Sequence, residues 1–333
     1  MIVMRHGLRS PIESPAELAT LAGRAFPLWP VAAGDLTPRG MALLRGMAQS
    51  VGRDVFDTSR VGQPCMRRGT VWADARDGRT ILSGKIVADG LGRCSDASQH
   101  GDKTVSDPLF DATRAGKCPL PANSPSPSMQ EDRRSRIAAA RYLAYAQGLS
   151  FQTDGATERQ TVFNEMPHHE RQVEQQFERL PAAGARTSSL TQAIVAFLDG
   201  HADPRSPLPA EAQVATIVGH DTDLAGLKAV FGLHWALPGQ PDSTGPATAL
   251  VLRASPADSE GRRRISATVY YQTLADMRAG VADKVKRVPL KFDGCASEKR
   301  CSWTDVSRRA LGAVPSSCSW DSNAMIAADQ AKR

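Results

Sequence analysis

The chain opens on four apolar residues, Met1-Ile2-Val3-Met4, and turns polar at Arg5-His6-Gly7. An unbroken apolar run that ends in a polar loop is the pattern of a short buried strand delivering its loop to one edge of a sheet. The same pattern returns at Val214-Ala215-Thr216-Ile217-Val218, which runs into Gly219-His220-Asp221. Val71 and Trp72 lead through Ala73 to Asp74 as a third strand, followed by Arg79-Thr80 and a helix through Gly90. Residues 250–252 and 267–271 supply two more strands, the second rich in the β-branched and aromatic side chains Thr268, Val269, Tyr270 and Tyr271.

Helical spacing dominates elsewhere. Met41, Leu43, Leu44 and Met47 repeat at helical intervals behind Thr37-Pro38, so Thr37 is an expected N-cap with Pro38 at the first helical position. Leu190, Ile194, Val195, Phe197 and Leu198 form an apolar stripe that Gly200 terminates. Between these segments the pattern weakens. Residues 119–129 are rich in Pro, Ser and Asn and mark a linker. Residues 136–149 form a helix with Ile137, Ala140, Tyr142 and Leu143 as its apolar side, and 170–180 are polar. The middle of the chain has too little apolar surface to fold alone.

This order of elements predicts an α/β protein: a large domain (1–120 and 188–333) with a mostly parallel central sheet flanked by helices, plus a small helical cap (121–187). A chain of 333 residues is long enough for one large core and a smaller appendage. No stretch reaches the roughly 18 to 20 uncharged apolar residues of a membrane-spanning helix, so no membrane partner is expected. The formal net charge is +6, but the basic residues are scattered and aromatic residues too few for a base-stacking surface, which argues against nucleic acid.

Six cysteines, Cys65, Cys94, Cys118, Cys295, Cys301 and Cys318, form an even set with no CxxC pair and no His at metal-ligand spacing. A disulfide framework is the better reading than six buried thiols, and it points to an oxidising compartment: a periplasmic or secreted protein. The four residues ahead of Arg5 leave no room for an export signal, so the signal is expected outside this chain. Spacing alone leaves fifteen pairings open.

The chemistry concentrates at the two strand ends. In Arg5-His6-Gly7-Leu8-Arg9-Ser10-Pro11 two guanidiniums flank a histidine. Arginine forks match phosphate oxygens bidentately, and a neutral imidazole can attack phosphorus at mildly acidic pH. A basic surface loop would look the same in isolation, and a His-Asp pair such as His220-Asp221 is often structural.

Together, however, the two segments resemble the paired signature of the histidine acid phosphatase branch of the histidine phosphatase superfamily. Trp29-Pro30, Leu36-Thr37-Pro38-Arg39-Gly40, Asp74 with Arg79-Thr80, Asp107 to Phe110, Leu237 to Asp242, and Gln272 to Leu274 with Met277-Arg278 are similar, in order, to the bacterial periplasmic phytase and glucose-1-phosphatase group. The resemblance covers about residues 1–120 and 188–320. It implies a phosphatase acting on small-molecule phosphate monoesters, a monomer without metal or cofactor. His6 would be the nucleophile, Asp221 the proton donor, and Arg5, Arg9, Arg79 and His220 the phosphate ligands. It also implies the pairs Cys65–Cys94, Cys118–Cys318 and Cys295–Cys301.

Three departures stand out. The segment between Cys118 and His220 is shorter than in that group, which shrinks the cap. Asp223 stands where the family carries asparagine, and Glu13 where phytases often carry a basic residue. Both are expected on the substrate rim, where added negative charge would favour singly phosphorylated esters over a highly charged one. A catalytically weak phosphate-binding protein on the same fold is the alternative reading, against which intact His6, His220 and Asp221 argue. A mutase of the other superfamily branch would place a glutamate in the acid role. His168 and His169 adjoin without the carboxylate or Cys cluster of a metal site, His234 and Trp235 are expected near the core, and His100 and His201 in solvated loops.

Overall fold

The computed structural model describes residues 1–56, 68–201, 203–209, 211–296 and 301–320. The first part of the chain forms β1 (Ile2–Arg5), α1 (Pro15–Ala22), α2 (Pro38–Phe56), β2 (Gly69–Ala73), α3 (Gly78–Leu91) and the two-residue β3 (Gln99–His100). Four helices follow: α4 (Met129–Gln147), α5 (Glu158–Phe177), α6 (Ala182–Arg186) and α7 (Ser188–Asp199). The last part comprises β4 (Val214–Gly219), α8 (Asp221–Phe231), β5 (Ala249–Ala254), β6 (Arg264–Tyr271), α9 (Leu274–Ala279), β7 (Lys286–Leu290), β8 (Cys301–Ser302) and α10 (Trp303–Gly312).

The strands make one sheet in the order β3-β2-β4-β1-β5-β6-β7, with β8 also on β6. Pairings from β3 to β1 are parallel, and β5 onward is antiparallel. β1 and β4 are buried at every position, because helices cover both faces of the sheet there. Alternate residues divide between two cores. Val3 and Ile217 pack with Leu190, Leu224 and Leu227 of α7 and α8 on one face. Ile2, Met4 and Val218 pack with Leu44, Met47 and Val87 of α2 and α3 on the other. Each such side chain contributes about 1.5 to 3 kcal/mol by leaving water.

The expected caps are present. Thr37 Oγ1 accepts from the Gly40 N–H at 2.9 Å, and Gly200 closes α7 with φ 77°. A third core unites Tyr142 and Leu143 of α4 and Val162 and Met166 of α5 with Leu8, Leu43, Leu274 and Met277. The two helices therefore rest directly on the segment that follows β1. Disulfides join Cys118 to Cys318 and Cys295 to Cys301. Cys65, expected to pair with Cys94, lies outside the described residues. Among the described residues no helix is long and apolar enough to cross a membrane.

Candidate active site

The parallel register carries the site. Arg5 lies opposite Gly219 and Ala73 opposite Val218, so β1, β4 and β2 end side by side. The residues just beyond them are His6, His220 and Asp74. Backbone bonds lock this edge: the His6 N–H donates to Gly219 O at 2.9 Å and the Asp74 N–H to Val218 O at 3.1 Å. Loops beyond the carboxyl ends of parallel strands are where α/β sheets gather ligand-binding groups.

His6 is buried, 2% exposed, and its Nδ1 lies 2.8 Å from Gly7 O. A carbonyl only accepts, so Nδ1 carries the proton and Nε2 keeps its lone pair. Burial, then the charges of Arg5, Arg9, His220 and Arg79, hold the ring well below the usual histidine range. The surroundings thus favour the neutral ring. The His220 ring stands edge-on to it, centroids 5.7 Å apart, and has the opposite character. Burial disfavours its charge, but the bond from Nε2 to Asp74 Oδ2 at 2.7 Å and the neighbouring Asp223, Asp74 and Asp221 raise its pKa overall.

Three guanidiniums surround the pair. Arg5, 4% exposed, reaches Asp221 Oδ2 at 2.8 Å, Asp242 Oδ2 at 2.9 Å and Thr244 O at 2.7 Å. Arg9 donates to Ser10 O at 2.8 Å, and burial together with Arg79 and Arg5 brings its pKa down to about 10. Arg79, in the first turn of α3, reaches Asp77 Oδ2 at 2.6 Å. The Nε atoms of all three are buried without a hydrogen-bond partner. Crowded cations with unsatisfied donors suit an anion with several oxygens, and Asp221 at the start of α8 adds a helix N-terminus facing the same place.

Asp221 resists ionisation through burial, yet Arg5, His169, His6 and His220 hold its carboxyl well below the usual range. His169, weighed from the sequence only as a metal ligand, is a contributor the sequence did not connect to this site. It lies on α5, 3.0 Å from Ser135 Oγ of α4, and shares no metal-ligand pattern with its neighbours. Asp74 and Asp242 were visible only within the strings that resemble the phosphatase group, without a partner to assign; the structure makes them the anchors of His220 and Arg5.

One expectation about the rim is corrected. Asp223 is 1% exposed, turned under His220, whose backbone N–H donates to its Oδ2 at 2.7 Å. It sits three residues after His220, and one helical turn folds it back beneath the strand end. Glu13 is an ion pair, its Oε1 2.7 Å from Arg136 Nε of α4, so its charge is compensated. His234 is also corrected: its side chain is 77% exposed beside Asp293, whereas Trp235 does pack against the core. His100 and His201 are exposed as expected.

This is the histidine phosphatase fold, shared with solved bacterial phytases. The chain is similar to the phytase AppA of Escherichia coli (strain K12), 26% identical over 351 residues that cover 84% of this chain and 81% of that protein. Among solved structures, the phytase of Citrobacter braakii superposes with a TM-score of 0.83 at 24% identity, covering 96% of this chain and 98% of that one. The phytase of Hafnia alvei in complex with tartrate gives 0.81 at 24% identity, covering 96% and 97%. No protein-family model matches the chain.

Proposed function

We propose that this chain hydrolyses small-molecule phosphate monoesters through a phosphohistidine on His6. The observation that carries the reading is a neutral, buried imidazole with its Nε2 lone pair available, enclosed by Arg5, Arg9 and Arg79 whose Nε donors lack partners. Phosphoryl transfer asks mainly for positioning and charge stabilisation, and this cradle supplies both.

In the first step His6 Nε2 bonds to phosphorus as the ester P–O bond breaks, and Asp221 gives its proton to the leaving oxygen. In the second, ionised Asp221 takes a proton from water as its oxygen attacks phosphorus, the P–N bond breaks, and inorganic phosphate leaves. His220, held as an imidazolium by Asp74, donates to a phosphoryl oxygen throughout. The Arg5–Asp221 ion pair at 2.8 Å keeps the acid ionised until a phosphate dianion engages Arg5. That anion weakens the pair and raises the affinity of Asp221 for a proton.

Residues 121–187 act in this reading as a reduced cap, α4 and α5 bringing Arg136 and His169 toward the site. The disulfides support a periplasmic or secreted location. A phosphate-release assay over sugar phosphates, nucleotides, an aryl phosphate and phytate tests the activity. Phosphate should be released from monoesters with acidic-side optima, and a chain that binds phosphate esters without releasing phosphate from any of them overturns the proposal.

A further inference from the structure

Asp223 takes no part in the steps above, yet it is a carboxyl group buried among the groups that perform them. We propose that Asp223 is a positioning residue for His220: its carboxylate, bonded to the His220 backbone N–H, keeps the neighbouring ring in its proton-donating form as the solution approaches neutrality. This rests on the phosphatase reading only for its catalytic consequence.

The geometry is specific. Asp223 Oδ2 lies 2.7 Å from the His220 nitrogen. The pocket around it is closed: a Cβ placed on Gly219 would lie 2.2 Å from that same oxygen and 2.7 Å from the Phe110 ring. Phe110 also stands edge-on to His220, centroids 6.5 Å apart. The ionisable groups facing Asp223 are His220 at the β4–α8 junction, Asp74 beyond β2 and Asp221 in its own helix. Phe110, from the loop after β3, is apolar. His220 is thus the cation among them, bonded through Nε2 to Asp74.

Burial, opposed by His220 and its N–H and reinforced by Asp74 and Asp221, pushes Asp223 up to about 7. Below that pH the group is a neutral carboxyl and adds no charge. Above it the group becomes an anion beside His220, just where the imidazolium would otherwise begin to lose its proton. The two sites titrate as a coupled pair. An amide at this position could accept the same N–H but could never supply the charge.

The test is Asp223→Asn in the full chain, followed by NMR titration of the His220 ring and by kcat against pH for an alkyl phosphate. The variant should lower the His220 midpoint by about one pH unit, which is about a tenfold loss of imidazolium on the alkaline side. The ratio of kcat at pH 7.5 to kcat at pH 5 should fall several-fold with it. An unchanged midpoint in an active variant overturns the proposal. Should the variant fail to fold, the wild-type His220 resonance serves instead: two inflections are expected, and a single one overturns it. Because the NMR titration needs no turnover, a shifted midpoint in a chain with no phosphatase activity would sink the activity reading and leave the coupling standing.

Discussion

Two aspartates in one helical turn are driven in opposite directions by their surroundings. Asp221 touches Arg5 and its pKa is depressed; Asp223 is enclosed without a cationic side chain bonded to it and rises to about 7. For Asp223 the folded value lies above the unfolded one of about 3.9, so the fold binds a proton that the unfolded chain releases. Its contribution is complete below pH 4 and is lost as pH climbs to 7, at up to about 4 kcal/mol. Asp223→Asn should therefore gain thermal stability over the wild type between pH 4 and pH 8, measured as Tm against pH. A Tm difference independent of pH would mean that the buried carboxyl is not titrating there. Asp221→Asn should slow hydrolysis most for esters with poor leaving groups and least for aryl phosphates, because only the former need an early proton. Equal losses along a leaving-group series would remove Asp221 from the acid role. Sequence placed Asp223 on the rim because it stands where the resembled family carries asparagine after the His-Asp pair; helical periodicity, which turns the third residue of α8 back under its cap, decides otherwise.

At the scale of elements, the strands that hold the site were legible because burial on both faces makes them continuous apolar runs, and α2 and α7 because caps and periodicity agree. The helix α8 was not assigned, although Leu224, Leu227 and Phe231 carry its spacing, since the segment was read for its chemistry. The two-residue β3 and β8 have no pattern of their own; pairing with β2 and β6 alone defines them. Contact between distant elements is equally silent in sequence. At Gly40 a Cβ would lie 2.0 Å from Leu8 O, so α2 can approach the segment after β1 only because no side chain intervenes. Gly40→Ala should destabilise by about 1 to 3 kcal/mol or more, and should reduce activity beyond the unfolded fraction by displacing Leu8 behind the His6 loop. Denaturant unfolding paired with kcat on the folded fraction checks this; full activity with full stability would show that α2 can retreat.

Across the whole molecule, the Cys118–Cys318 bridge spans 200 residues and encloses everything from the linker to the end of α10. It sits in a small cluster with Ala112, Ala185 and Val314, which offers little apolar packing to replace it. On chain entropy alone, replacing both cysteines by serine should cost about 5 kcal/mol, read from denaturant midpoints under oxidising conditions. An unchanged midpoint would mean that the covalent link restrains nothing in the unfolded chain. The same long-range closure unites residues more than 200 positions apart, His6 with His220 and Arg5 with Asp242, into one centre, and the covalent step at His6 is what that assembly is proposed to perform. Rapid-quench mixing of the enzyme with a phosphate monoester, followed by intact-mass analysis under alkaline conditions, tests this most directly. A phosphoryl adduct that is acid-labile, maps to His6 and disappears in His6→Ala together with turnover is the predicted result; a His6→Ala chain that still releases phosphate at more than a trace of the wild-type rate would contradict it.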